Sequence, residues 1–344
     1  MATMADVARL AGVSVKTVSN VLNDYPYVRE ATRERVMRAV EQLGYRVNVT
    51  ARSLRSGRTG MIGLAVPELG QPYFGELADD ILAAGRRHGV QVLIEPTGYT
   101  REGELAALEE LDRGLIDGLL FSPAVLAPED VEIVEAVRQP LVLLGEQLFS
   151  SKVDHVTMRN VEGARAATEL LLDQGCTRIA ILGLLHREHV GASALRLEGY
   201  RAALEARGLE VDERLFGWAD EGWHRGNGAR AVAQILDAGV ECDGVLGLND
   251  ALALGAMHEL QVRGLRVPQD VAVVGFDDVE DSRFATPPLT TVDPGRREIA
   301  ETAVELLCRR IDARFRAGAA PVEPVLHRAA MRVVERESTG PRPS

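Results

Sequence analysis

From Thr3 the chain sets Met4, Val7, Ala8 and Ala11 on one face at helical spacing, with Thr3 placed to cap the helix start and Asp6 near its positive end. The stretch "AGVS" at 11–14 interrupts this pattern. Gly12 can supply a tight bend, Val13 fills the corner, and Ser14 caps a second helix whose Val18, Val21 and Leu22 face inward. A third helix is predicted from Glu30 to Leu43, with Val36, Ala39, Val40 and Leu43 inward and Gly44 as its stop. "NVTARSLRSGRTG" at 48–60 then reads as a polar linker around one large aliphatic side chain, Leu54.

From Met61 the period changes. The apolar runs "MIGLAVP", "VQVLIEP", "IDGLLFSP", "PLVLLGE", "RIAILGL", "CDGVLGLND" and "VAVVGFDD" alternate with amphipathic stretches such as "NVEGARAATELLLDQG" at 160–175. Short buried strands alternating with helices predict parallel sheets covered on both faces, with a ligand at the carboxyl ends of the strands. The polar end "ESTGPRPS" is expected to fray. The chain therefore divides into a helical unit at 1–46, a linker at 47–59, an α/β unit at 60–337 and a flexible tail at 338–344.

A helix, a tight turn and a second helix make the geometry that inserts a recognition helix into a DNA major groove. With Val18, Val21 and Leu22 inward, Val15, Lys16 and Asn20 are left pointing outward at the start and outer face of the second helix. Lys16 can donate to guanine, Asn20 can pair with adenine or reach a phosphate, and Val15 can pack on a thymine methyl. Ser14, Thr17, Ser19 and Asn23 carry the hydroxyls or amides suited to phosphate oxygens. Lys16 is one of only two lysines in the chain, the other being Lys152.

Charge sharpens this reading. The net charge of −12 argues alone against nucleic acid, but residues 1–60 carry ten Arg or Lys against five acids, and the remainder 29 bases against 46 acids. A small basic unit on a large acidic one points to a polyanion held by the first unit only. Cys176, Cys242 and Cys308 include no close pair and read as small buried apolar residues rather than a zinc site or disulfide framework. No GxGxxG, phosphate loop or GxSxG elbow follows a strand, and "HREH" at 186–189 lacks a third ligand, so no metal and no cofactor is expected. No apolar run reads as a membrane span or a signal peptide, which implies a cytoplasmic protein with no membrane partner.

"DVARLAGVSVKTVSNVLN", "TRERVMRAVEQLGYRVN" and "ARSL" closely resemble the LacI/GalR family of bacterial transcription regulators. That resemblance implies a DNA-binding headpiece followed by a hinge helix that forms when two subunits meet on operator DNA. By match to the motif, Asn48 would cap the hinge helix, Ala51 would face its partner helix, and Leu54 would wedge into the central minor-groove step, with Arg52 and Arg55 beside it on the DNA. The family commonly has proline before the asparagine. Here it is Val47, so the hinge start is less pre-organised.

The resemblance continues through "QPYFGEL", "DGLLFSP", "GCTRIAILG", "SALRLEGYRAAL", "LNDALALGAM", "VAVVGFDD" and "PPLTTV". It implies a fold class of an all-α helix-turn-helix headpiece plus an α/β effector domain of the periplasmic-binding-protein kind, two lobes with a ligand cleft between them. Carried onto this sequence, Tyr73, Phe74, Ser122 and Glu146 would serve the cleft from one lobe and Arg196, Trp223, Asn249 and Asp277 from the other. Each has a plainer reading beside it: Trp223 as packing at a helix end, Tyr73 and Phe74 as packing at a lobe edge, and Asp277 and Arg196 as partners of each other or of surface charges. Arg159 stands where many relatives have aspartate, which bears on the charge of the cleft. The implied protein is a homodimeric regulator of a pseudo-palindromic operator, controlled by a small effector, most simply a sugar. Its rivals are a solute-binding protein and an α/β sugar-modifying enzyme. No leucine heptads mark the C-terminus, so no tetramerising coiled coil is expected.

Overall fold

The computed structural model describes residues 2–22, 25, 27–45, 58–186, 191–220, 222–316, 318 and 322–340. The chain separates into two compact units, Met1–Thr59 and Gly60–Ser344.

In the first unit, α1 (Met4–Ala11) starts in a reciprocal capping box: Asp6 N–H donates to Thr3 Oγ1 at 3.3 Å, and Thr3 N–H donates to Asp6 Oδ2 at 2.9 Å. The Thr3 hydroxyl, which donates to Asp6 Oδ2 at 2.6 Å, and then the Thr3 N–H hold the Asp6 carboxyl below its ordinary pKa. Gly12 ends the helix at φ +64°, a left-handed conformation that glycine adopts without a Cβ clash. Ser14 Oγ then accepts the Thr17 N–H at 3.1 Å and caps α2 (Val15–Leu22). α3 (Glu30–Gln42) stops one residue earlier than the apolar spacing suggests, because Leu43 is its cap and Gly44 turns left-handed. Val7, Ala8, Ala11, Val18, Val21, Val36 and Ala39 are buried together, and Leu22, Val40 and Leu43 close the rim of this core.

The second unit has two lobes. The first holds a six-stranded parallel sheet ordered β11-β5-β4-β3-β1-β2, from β1 (Met61–Val66), β2 (Gln91–Pro96), β3 (Leu119–Phe121), β4 (Leu141–Leu144), β5 (Asp154–Thr157) and β11 (Leu326–Arg328). Alternation along the strands sends Ile62, Leu64 and Val66 against α4 (Pro72–Arg87) and α12 (Arg296–Phe315). Ala65, Phe121 and Leu143 face α5 (Arg101–Asp112) and α6 (Val131–Glu135). The second lobe holds a four-stranded parallel sheet ordered β7-β6-β8-β9, from β6 (Ile179–Leu184), β7 (Phe216–Trp218), β8 (Gly244–Gly247) and β9 (Ala272–Val274). One of its faces is covered by α7 (Asn160–Asp173) and α8 (Ala192–Ala206), the other by α9 (Arg225–Asp237) and α10 (Asp250–Val262). Gly228 and Gly255 let α9 and α10 touch backbone to backbone, since a Cβ on either would run into a main-chain carbonyl of the facing helix.

The chain passes between the lobes three times: from β5 into α7, from β10 (Thr291–Asp293) into α12, and from β11 into β12 (Arg332–Val334). β10 and β12 pair antiparallel as a narrow strap, with Arg332 3.1 Å from Asp293. The C-terminal end departs from the frayed tail that its polar composition suggests. Ser338 is fully buried, donates to Val273 O at 2.6 Å and accepts the Thr290 N–H at 2.7 Å, and Thr339 is buried against Thr290. The Ser338 carbonyl also accepts the Val273 N–H at 2.9 Å, so Ser338 pairs with the edge of β9 and 338–339 belong to the folded unit. Cys176 and Cys242 are buried, and Cys308 is half-buried.

Candidate effector cleft and DNA-reading surface

On α2 the outward side chains are those left over once the core is filled. Val15 is 44 % exposed although apolar, Lys16 is exposed, and Thr17, Ser19 and Asn20 are half-buried around it. Ser14 and Thr17 share a hydroxyl contact of 2.8 Å, so the same two side chains that fix the helix start stand at its outer end. Tyr25 and Tyr27, which no motif singled out, pack edge to face at 5.6 Å, and Tyr27 is 84 % exposed. An exposed ring of that size beside a basic surface is a further candidate for backbone or base contact. Asn23, Asn48, Ala51, Arg52, Leu54 and Arg55 lie outside the described residues.

The carboxyl ends of both sheets open onto one cleft of about 1060 Å³. Tyr73, Phe74, Ser122, Glu146, Arg196, Trp223 and Asp277 all line it. Tyr73 and Phe74 stand edge to face at 5.4 Å at the start of α4, which opens at Pro72 just after the β1 loop. Burial, then the neighbouring Asp277 and Glu146 carboxylates, push the Tyr73 hydroxyl well above its ordinary pKa, so it stays a neutral donor. Glu146 accepts from Thr157 Oγ1 at 2.9 Å and from the Met158 N–H at 3.4 Å, while Ser122 sits buried at the end of β3.

Arg196 is 2 % exposed and organises the second lobe's wall. Its Nε donates to Asn160 Oδ1 at 2.7 Å, Nη1 donates to the Leu248 carbonyl, and Nη2 lies 3.2 Å from Met158 Sδ and 3.9 Å from Asp277 Oδ1. The guanidinium also lies over the Phe276 ring at 3.6 Å. Arg196 and Asp277 thus do pair with each other, and they do so inside the cleft. Asp277 has φ +118°, a backbone conformation that costs about 1–3 kcal/mol for a residue with a Cβ and that aims its carboxyl into the cleft. Burial raises its pKa well above the carboxylate range, Arg196 opposing and Asp250 reinforcing the shift.

The Trp223 ring lines the cleft, and its Nε1–H donates to Gly183 O on β6 at 2.8 Å, which fixes the plane of the ring. Asn249 is not among the lining residues. It caps α10 by accepting the Leu252 N–H at 2.8 Å, and its amide donates to Trp223 O at 3.1 Å, so it acts behind Trp223. Arg159 is exposed, pairs with Glu162 at 3.5 Å and contributes no charge to the cleft.

Sequence motifs missed Gln71, Tyr99, Gln147, His186, Asp220 and His224, all of which line the cleft. The signal that finds most of them is position, because Tyr99, Gln147, His186 and Asp220 follow β2, β4, β6 and β7 as Ser122 follows β3. His186 Nδ1 lies 2.6 Å from Asp220 Oδ2 and its ring stacks on Trp218 at 3.8 Å. Among the described residues, polar contacts between the lobes include His224 Nε2 at 3.1 Å from Glu68 Oε1 and the Glu280 N–H donating to Glu76 at 2.7 Å. Among the described residues no cluster of His, Cys, Asp and Glu could hold a metal ion, and no helix is long and apolar enough to cross a membrane.

Residues 3–48 match the model of the bacterial regulatory proteins of the lacI family, and residues 168–339 match a periplasmic binding protein-like domain. The HTH-type transcriptional repressor PurR of Vibrio atlanticus is 34 % identical over 90 % of this chain and 92 % of its own length. The ribose operon repressor of Escherichia coli K12 is 36 % identical over 90 % and 93 %. The lac repressor dimer bound to operator and the anti-inducer ONPF superimposes with a TM-score of 0.82 at 28 % identity, over 98 % of both chains. A helix-turn-helix unit joined to a two-lobed α/β unit with a ligand cleft is the architecture of a DNA-binding transcriptional repressor under small-molecule control. The chain belongs to the LacI family of bacterial regulatory proteins.

Proposed function

We propose that the protein represses carbohydrate uptake or catabolism genes as a cytoplasmic homodimer on a pseudo-palindromic operator, with a sugar in the cleft setting operator affinity, and that it performs no catalysis. The observation that carries the sugar reading is the pairing of hydroxyl-binding groups with ring faces in one cleft: Asp277, Glu146, Ser122 and Gln71 beside Trp223, Tyr73 and Phe74. Carboxylates accept from vicinal hydroxyls, and a flat ring covers the C–H face of a pyranose. Residues 47–59 are the proposed hinge, in which Leu54 enters the minor groove when two subunits meet on DNA. Ligand closes the lobes, separates the paired hinges and releases Leu54. A coupling of about 1–3 kcal/mol changes operator affinity five- to 150-fold.

The test is fluorescence anisotropy of the purified protein on the DNA upstream of its own gene, with and without a panel of sugars, alongside chromatography of each sugar after incubation. Salt-sensitive, sequence-selective binding that one sugar shifts at least fivefold, with the sugar recovered unchanged, is the expected result. A sugar consumed by the protein, or equal affinity for random DNA, overturns the reading.

A further inference from the structure

We infer that the effector is an uncharged oligosaccharide of more than one ring and that the cleft rejects anionic ligands, an inference that rests on the sugar reading above. Among the described residues the cleft's cationic or ionisable nitrogens belong to Arg196, His186 and His224, and each is already directed at protein. The donors of Arg196 point to Asn160, the Leu248 carbonyl, Met158 and Asp277. A phosphate or carboxylate that drew this guanidinium away would leave those buried acceptors unmatched. His186 faces Asp220 at 2.6 Å and His224 faces Glu68 at 3.1 Å. The start of α8 at Ala192 also meets the cleft, but a helix end supplies only about half a positive charge.

The same pairings argue against a cationic ligand. Arg196 lies 3.9 Å from Asp277 Oδ1, His186 Nδ1 lies 2.6 Å from Asp220 Oδ2, and Glu146 accepts from the Thr157 hydroxyl and the Met158 N–H, so these three carboxyl groups already have polar partners within the protein. Their remaining lone pairs suit hydroxyl donors. Length follows from volume and from the rings. About 1060 Å³ lies just above the roughly 300–1,000 Å³ typical of small-molecule sites. Four aromatic rings line it, from the loops or helix starts after β1, β2 and β7: Tyr73, Phe74, Tyr99 and Trp223. One pyranose has two faces to offer them.

Calorimetric titration of the full-length protein tests this with α- and β-linked di- and trisaccharides of glucose, galactose, mannose and xylose, their constituent monosaccharides, hexose 6-phosphates, uronic acids, glucosamine and hypoxanthine. At least one neutral di- or trisaccharide should bind at least tenfold more tightly than its own monosaccharide and a hundredfold more tightly than any phosphorylated or carboxylated sugar. Gln147→Lys, which adds a cation to the lining, should narrow the gap to sugar phosphates at least tenfold. A monosaccharide, amino sugar or anionic sugar as the tightest ligand overturns this inference and leaves the sugar-controlled repressor standing. Hypoxanthine as the only ligand, or no binding anywhere in the panel, overturns both.

Discussion

Asp250 is fully buried at the start of α10, where Oδ1 accepts from Thr291 Oγ1 at 2.5 Å and Oδ2 accepts from the Val279 N–H at 2.9 Å and Ser282 Oγ at 2.7 Å. These bonds tie α10 to the turn carrying Asp277 and to the β10 strap. They favour the carboxylate, but desolvation outweighs them and raises its pKa from 3.8 to about 7. With the folded-state pKa raised, the unfolded chain loses its proton first as pH increases, so the folded state binds more protons between pH 4 and 7. Stability from this group is complete below about pH 3.8 and is lost as pH rises to about 7, a total of about 4 kcal/mol at 1.36 kcal/mol per pKa unit. Asp250→Asn removes the titration and can keep the bonds: Oδ1 accepts from Val279 and Ser282, and Nδ2 donates to a Thr291 hydroxyl that has turned to accept. Integrating the two pKa values, the stability of the variant relative to wild type should grow by about 2–3 kcal/mol between pH 5 and pH 8. Urea unfolding followed by tryptophan fluorescence measures this directly, because both tryptophans, Trp218 and Trp223, lie in the second unit. Parallel stability curves for the two proteins from pH 5 to 8 refute the assignment of Asp250 as a buried acid that keeps its proton.

Lys16→Ala should weaken operator binding by about 1–3 kcal/mol and relax discrimination at a single base pair per half-site, which binding to a set of single-base operator variants would show; equal losses at all positions would reassign Lys16 to a phosphate. Leu54→Ala should weaken binding to operator far more than to random DNA in the same anisotropy assay, and equal losses on both would remove the wedge role. Gly255→Ala should cost about 1–3 kcal/mol in the unfolding of the second unit, because its Cβ would meet the Arg225 carbonyl and force α9 and α10 apart.

The sequence made the helix-turn-helix legible because three signals coincide within a few residues: apolar spacing, the Thr3 and Ser14 caps, and Gly12 at the bend. The central strands were legible as apolar runs. β5, with "DHVT", and β7, with "FGW", were not, because each is short and carries polar or small residues that its neighbours bury. β11 and β12 lie far along the chain from the strands they join, and no local pattern reveals such pairing. Site residues showed the same division. Arg196 and Asp277 stand in strong motifs, whereas His186 and Asp220 meet only because β6 and β7 are neighbours in the sheet. Asn249 shows the limit of a motif: the residue sits where the pattern places it, yet its amide is engaged in capping α10 and holding the Trp223 backbone.

Three chain crossings join the lobes, two of them zipped together by the pairing of β10 with β12. A single crossing would let one lobe swivel, tilt and slide against the other. Three, with a hydrogen-bonded ribbon among them, behave as a door hinge rather than a ball joint: bending across the strap is soft, while twisting or sliding has to stretch covalent chain or break ladder bonds. Whatever fills the cleft can therefore be reported through essentially one mechanical coordinate, opening or closing, and ligands of different shape differ in how far they move it rather than in which direction.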